Sequence, residues 1–130
     1  MRLYTPSPLP KLITRCALVA VVLAAITGCH AHYVSMDVHN ASSEPVSLVE
    51  VDYPSASFGM DTLAAGANYH YRFKIIGDGP TKLLWTDVDR HNHTATGPSL
   101  HEGQEGTLTV TINDSNAGAN AAWQSNLRSN

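Results

Sequence analysis

The chain has 130 residues, with eight Lys or Arg, eleven Asp or Glu and seven His, and its formal net charge is −3. This length fits one domain. Only five of the basic residues follow residue 28, together with all eleven acidic ones. Nucleic acid is therefore excluded as an expected partner, because its recognition calls for a basic patch.

The N-terminal 28 residues have the three parts of a secretory signal. Three basic residues come before an uncharged apolar run over residues 16–26, and the small residues Thr27 and Gly28 follow the run. A membrane-spanning helix needs about 20 apolar residues, so this run is too short to serve as one. We therefore expect residues 1–28 to be removed during export.

The end of this signal, Ile26-Thr27-Gly28-Cys29, resembles the lipobox of bacterial lipoproteins. The resemblance implies that the Cys29 thiol receives diacylglycerol, with palmitate-type chains, and that the signal is cut just before it. In enterobacterial lipoproteins, an Asp directly after the lipidated cysteine favours retention in the inner membrane. Here the residue after Cys29 is His30. The resemblance therefore implies a lipid anchor in the cell envelope, with the outer membrane favoured over the periplasmic face of the inner one.

Cysteine usage limits what the mature domain can contain. Cys16 leaves with the signal and Cys29 carries the lipid, so no disulfide is expected. A blue-copper site needs a cysteine thiolate ligand and is excluded on the same ground. No cofactor is expected.

After Cys29, apolar and polar residues alternate with the period of two that is typical of half-buried β-strands. Five clear runs of this kind cover residues 33–40, 46–53, 69–76, 81–88 and 107–113. A further short strand is expected around residues 58–60, within the segment 55–63.

Gly, Pro and Asn separate these runs and indicate turns. Regularly spaced short strands predict an all-β domain, an antiparallel two-sheet sandwich of immunoglobulin-like or related Greek-key type; a small β-barrel is the alternative. Residues 29–32 are then a lipidated cysteine with a short tether, and residues 33–113 form the sandwich. The first two strands are predicted to form a hairpin, with residues 40–45 pointing away from the lipid.

The C-terminal segment, residues 114–130, is rich in Asn, Ser and Ala. Its low hydrophobic content predicts a disordered tail. Within it, Trp123 is interpreted as a chance residue in preference to a docking point.

Histidine is the conspicuous excess. His91 and His93 are two residues apart, so on a strand both imidazoles would share a face and could bind one metal ion, with His101 or Asp89 as a further ligand. Solvated loop histidines are the favoured interpretation, and no metal site is assigned. Asp87 and Asp89 could likewise bind calcium, but a solvated strand end is favoured.

Other candidate chemistry is weaker. His30 and His32 are interpreted as plain tether. No Gly-x-Ser-x-Gly motif is present, so no catalytic residue is assigned. Aromatic side chains could line a ligand groove, but at alternate strand positions they are more often part of a core. These are Tyr53, Tyr69, Tyr71 and Trp85.

The sequence thus predicts a non-enzymatic binding or structural module, held to the membrane by the lipid on Cys29. An envelope protein is its expected partner. The alternative is a periplasmic metal-binding lipoprotein that uses His91, His93 and His101.

Overall fold

The computed structural model describes residue 3, residues 31–114 and residues 120–129. Contacts divide the chain into two units, Met1–Ala31 and His32–Asn130, and all of the described strands belong to the second unit. The predicted signal and Cys29 lie outside the described residues, apart from Leu3. In the part of the chain that is described, no helix is long and apolar enough to cross a membrane.

The domain is built from eight strands in the described ranges, and no helix is found there. The strands are β1 Val34–Asn40, β2 Val46–Tyr53, β3 Ala56–Leu63, β4 Asn68–Phe73, β5 Gly79–Thr86, β6 Asn92–Leu100, β7 Glu105–Asn113 and β8 Asn120–Arg128.

The strands form two four-stranded sheets, in the orders β4-β1-β7-β8 and β3-β2-β5-β6. All pairs are antiparallel except β1 with β7, which run parallel. The predicted all-β sandwich is confirmed, and the two separate sheets exclude the small-barrel alternative for the described residues.

The core lies between the inner faces of the two sheets, as the period-two pattern requires. β1 shows the pattern most clearly, because Val34, Met36 and Val38 are fully buried while Ser35 and Asp37 are not. The same alternation in β7 buries Leu108, Val110 and Ile112. Burying these side chains is the main favourable contribution to folding, at roughly 25 cal/mol for each Å² of apolar surface.

The predicted hairpin between the first two strands is wrong. β1 pairs with β4 and β7, whereas β2 lies in the other sheet and pairs with β3 and β5. Buried Asn40 explains the crossing, because its side-chain amide donates to the carbonyl oxygens of Glu44 and Leu63, at 2.9 and 3.0 Å. These bonds turn the chain out of one sheet and into the other.

The predicted disordered tail is also wrong where the structure describes it. Residues 120–128 form β8, which pairs with β7 along its whole length. Trp123 and Leu127 pack against the core, so Trp123 is a packing residue and not a chance one. The backbone hydrogen bonds of β7 stabilise this strand despite its low hydrophobic content.

Both ends of the sandwich can be assigned from strand direction. The end where the chain enters at His32 also holds residues 54–55, 74–78 and 101–104, and we call it the proximal end. The opposite end holds residues 41–45, 64–67, 87–91 and 114, and we call it the distal end. β6 has nine residues and runs between the two ends, so at about 3.3 Å per residue they are roughly 26 Å apart.

Candidate functional site

A cleft of about 310 Å³ opens at the distal end, between the loop that leaves β1, the loop between β5 and β6, and the end of β7. Because β1, β5 and β7 all end at the distal end, segments that are far apart in sequence line this cleft together. Its ionisable lining consists of Glu44, Asp87, Asp89, His91, His93 and Asp114. Four carboxylates thus face two imidazoles, which makes the cleft acidic.

Asp87 lies at the centre of this group. One carboxylate oxygen, Oδ2, is 2.7 Å from Nε2 of His93 and 3.5 Å from Nδ1 of His91. The other, Oδ1, accepts a hydrogen bond from the backbone N–H of His91 at 2.9 Å. The hydrogen bond with His93, and then that from His91, lower the pKa of Asp87 to about 2, so the carboxylate is ionised at neutral pH.

The loop between β5 and β6 folds so that Asp87 and His91 meet. The backbone N–H of Asp87 donates to the carbonyl of His91, and the N–H of Arg90 donates to the carbonyl of Asp87, at 3.0 and 3.1 Å. Arg90 has a φ of 66°, in the left-handed region that a tight turn uses. A tight turn over residues 87–91 therefore brings Asp87 and His91, four residues apart in sequence, into contact.

His93 is held more firmly than a loop residue would be. It belongs to β6 and pairs with Trp85 of β5, and the two rings stack with their centroids 5.2 Å apart. Its side chain is 20% exposed, against 73% for His91. Stacking on buried Trp85 and the contact with Asp87 fix the orientation of this imidazole.

Three side chains of the cleft could hold a metal ion together. Donor atoms of Asp87, Asp89 and His91 all lie within 4.8 Å of one another. Imidazole and carboxylate ligands suit zinc and copper. His93 contacts the same carboxylate, so the predicted pair His91 and His93 does converge, through Asp87.

His101 does not join this group, so the alternative in which His91, His93 and His101 form one site is wrong. It follows β6 at the proximal end, where Nδ1 lies 3.3 Å from Oδ2 of Asp78. Residues 92–100 form a strand, and not the loop in which the histidines were expected. As a strand, they carry His93 and His101 to opposite ends of the domain.

The interpretation of His32 as plain tether is wrong, because its side chain contacts the folded domain. Its Nδ1 lies 3.3 Å from Oε2 of buried Glu105, whose other oxygen accepts hydrogen bonds from Arg128 at 2.8 and 3.0 Å. The segment before β1 and the end of β8 are therefore joined at one carboxylate. His30 lies outside the described residues.

The aromatic candidates belong to the core, as predicted. Tyr53, Tyr69 and Tyr71 are partly buried against it, and Trp85 is buried. Phe58 stacks on Tyr71 with ring centroids 4.1 Å apart. Burial, followed by the neighbouring Tyr71, raises the pKa of Tyr53.

A hydroxyl group also lines the cleft, on Ser42, but its contacts are structural. Its Oγ lies 2.6 Å from Oδ1 of Asn40 and 2.8 Å from the carbonyl oxygen of Glu44. A serine nucleophile needs a base within hydrogen-bond distance, whereas this hydroxyl bonds to an amide and a carbonyl oxygen.

No protein-family model and no curated protein matches the sequence. Among solved structures, the chain is similar to the NMR structure of a protein from Eubacterium rectale, with a TM-score of 0.59 and 13% sequence identity. The similarity covers 74% of this chain and 92% of that one. At this identity it supports the fold alone.

Proposed function

We propose that this chain is a lipid-anchored binding module of the bacterial cell envelope that presents the acidic distal cleft away from the membrane. The location of the cleft carries the proposal, because it lies at the end of the sandwich opposite His32. Residues 26–29 supply the anchor by their resemblance to a lipobox. The outer membrane is the favoured location, because His30 follows Cys29.

The short tether makes this arrangement specific. Only residues 30 and 31 separate Cys29 from His32, and three extended steps reach about 10 Å. The proximal end is thereby kept beside the membrane. The cleft is then held roughly 26 Å further out, the length of β6, where an envelope protein or a diffusing ligand can reach it.

The charge of the cleft indicates the chemistry of its ligand. Asp87 is ionised, and Glu44, Asp89 and Asp114 add three further carboxylates, while Arg90 is the one basic residue among the described residues of this end. A cationic group, such as a lysine or arginine of a partner protein, would be attracted. Binding is favoured over catalysis, because the hydroxyl of Ser42 is engaged by the amide oxygen of Asn40 and the carbonyl oxygen of Glu44.

The substitution Cys29→Ser tests the anchor. We expect the variant to accumulate as uncleaved precursor that incorporates no labelled palmitate, because a hydroxyl is a poor nucleophile toward the lipid donor. Cys16→Ser is the matched control and should be processed normally. Normal processing of Cys29→Ser, with partition into the detergent phase, would overturn the proposal.

Divalent metal binding is a second candidate function, and the convergence of Asp87, Asp89 and His91 favours it. Calorimetry with zinc or copper on the mature protein is expected to give about one equivalent, lost in the double variant His91→Ala, His93→Ala and retained in His101→Ala. The absence of a saturable site tighter than about 10 μM, or roughly −7 kcal/mol, would exclude this candidate.

A further inference from the structure

The charges of the domain are distributed unequally along its length. Four of the five basic residues after the signal lie toward the proximal end, and they are Arg72, Lys74, Lys82 and Arg128. Four acidic residues lie there too, and they are Asp52, Asp78, Glu102 and Glu105. The distal end has four acidic residues and Arg90. The excess negative charge of the domain therefore belongs to its middle and its distal end.

Contacts within the proximal end occupy most of its carboxylates. Glu105 binds Arg128 and contacts His32, and Asp78 contacts His101. Glu102 accepts a hydrogen bond from the backbone N–H of Gly77 at 3.1 Å. Among the described residues, no ion pair engages exposed Arg72 or Lys74. Both cations are thus available to anions outside the protein.

Apolar side chains are exposed beside these cations. Ile76 is 57% exposed and Tyr33 is 39% exposed, and the guanidinium of Arg72 lies 4.2 Å from the centre of the Tyr33 ring. Ile75 already fills the core position in this loop, so packing does not require a second isoleucine after it. Val88 is also exposed, but it is at the distal end among carboxylates, where anionic lipid would be repelled.

Hydrogen bonds between loops hold Ile76 in a fixed position. Its carbonyl oxygen accepts a bond from the hydroxyl of Ser55, and the next residue, Gly77, donates to Glu102. The backbone N–H of Glu102 in turn donates to Asp78 at 2.8 Å. Three proximal loops are thereby joined into one surface, so Ile76 can enter a lipid interface without ordering a flexible loop.

We infer that Tyr33, Arg72, Lys74 and Ile76 form a membrane seat, a surface on which the domain rests against anionic phospholipid headgroups. This inference rests on the lipid anchor proposed above. Cys29 is three residues from His32, so the anchor brings this end, and no other, to the bilayer. Basic side chains would contact lipid phosphates, while Ile76 and Tyr33 enter the headgroup layer.

A fluorescent probe on a single cysteine tests the seat in the mature lipidated protein, from which Cys16 has left with the signal. Lipid blocks Cys29, so Ile76→Cys and Ser43→Cys each supply one reactive thiol, and Ser43 is an exposed distal control. The proteins are added to preformed vesicles that contain phosphatidylglycerol. We expect the probe at position 76 to shift to shorter wavelength and to be quenched several-fold less by a neutral water-soluble quencher than the probe at position 43.

Charge reversal provides the second arm of the test. Lys74→Glu should lower the ratio of seated to unseated domain by roughly 30-fold on anionic vesicles. One unit of positive charge near such a surface raises this ratio about fivefold, and the substitution changes the charge by two units. When Lys74→Glu is combined with Ile76→Cys, the probe at position 76 should therefore become accessible to the quencher. Arg90→Glu makes the same charge change at the distal end and should leave the protection intact.

The failures of anchor and seat are distinguishable. Protein that does not float with the vesicles lacks the anchor, and the seat is overturned with it. Protein that floats, but whose probes at positions 76 and 43 are quenched equally, retains the anchor and overturns the seat. Equal protection in Lys74→Glu and in Arg90→Glu would overturn the assigned role of Lys74 in headgroup binding.

Discussion

The indole ring of Trp123 in β8 lies against Gly97 of β6, across the edge where the two sheets come together. A Cβ atom placed on Gly97 would lie 2.7 Å from Cε2 of Trp123 and 2.4 Å from Oγ1 of Thr81. Both distances are shorter than the closest approach of a Cβ atom to a nonbonded heavy atom. The absence of a side chain at residue 97 therefore lets the final strand cover this edge of the sandwich.

Gly97→Ala should destabilise the domain by about 1–3 kcal/mol, the usual cost of adding a methyl group where the packing has no room for it. Urea denaturation followed by circular dichroism measures the change. Ser99→Ala, an exposed position on the same strand, is the control and should be nearly neutral. Equal stability of Gly97→Ala and the wild-type protein would contradict the contact with Trp123.

Trp123→Ala should cost about 3 kcal/mol, at the lower end of the range for buried aromatic residues because this ring is only partly buried. The adjacent Gln124→Ala removes an exposed side chain from the same strand and serves as the control. Differential scanning calorimetry of both variants gives the comparison. If Trp123→Ala and Gln124→Ala both left the melting temperature unchanged, the packing of Trp123 against the core would be contradicted.

Asn40→Asp should destabilise the domain by several kcal/mol. The change replaces the amide that donates to Glu44 and Leu63 with a carboxylate, so the buried carbonyl oxygen of Leu63 loses its donor, at a cost of about 1–3 kcal/mol. It also places a charge at a fully buried position, which adds to the cost. Ser43→Ala in the following loop is the control. Chemical denaturation at neutral pH measures both, and similar midpoints would show that the crossing does not depend on Asn40.

Asp87 should contribute to acid sensitivity. Its pKa in the folded protein is about 2, below the ordinary value of 3.8, so its stabilising contribution is present above pH 4 and is lost as the pH falls from 4 toward 2. Asp87→Asn should therefore lose less stability than the wild-type protein between pH 5 and pH 2. Urea midpoints across this range measure the effect.

The control for this titration is Asp89→Asn, which removes a carboxylate from the same loop and leaves the contacts of Asp87 with His91 and His93 in place. Its pH dependence should follow that of the wild-type protein. If Asp87→Asn and Asp89→Asn have the same profile, the hydrogen bonds to Asp87 do not stabilise the fold in acid.

The sequence by itself determined the fold class, because a period of two is a local property that follows from the geometry of one strand. Segments such as residues 49–53 and 107–113 already show which side chains face a core. The same rule failed for β6 and β8, whose inner faces carry small or isolated apolar residues such as Ala95, Gly97 and Ala121. These strands are stabilised by hydrogen bonds and packing against neighbours, which no local pattern records.

Only the tertiary structure decided which candidate residues meet. His91 and His93 are near in sequence, and their proximity was predictable, but Asp87 joins them through a turn, and Glu44 and Asp114 arrive from distant segments. His101 is separated from the cleft by the length of β6. Charge shows the same division. Composition determines the total, whereas strand direction places most basic residues toward the proximal end and a cluster of carboxylates at the distal end.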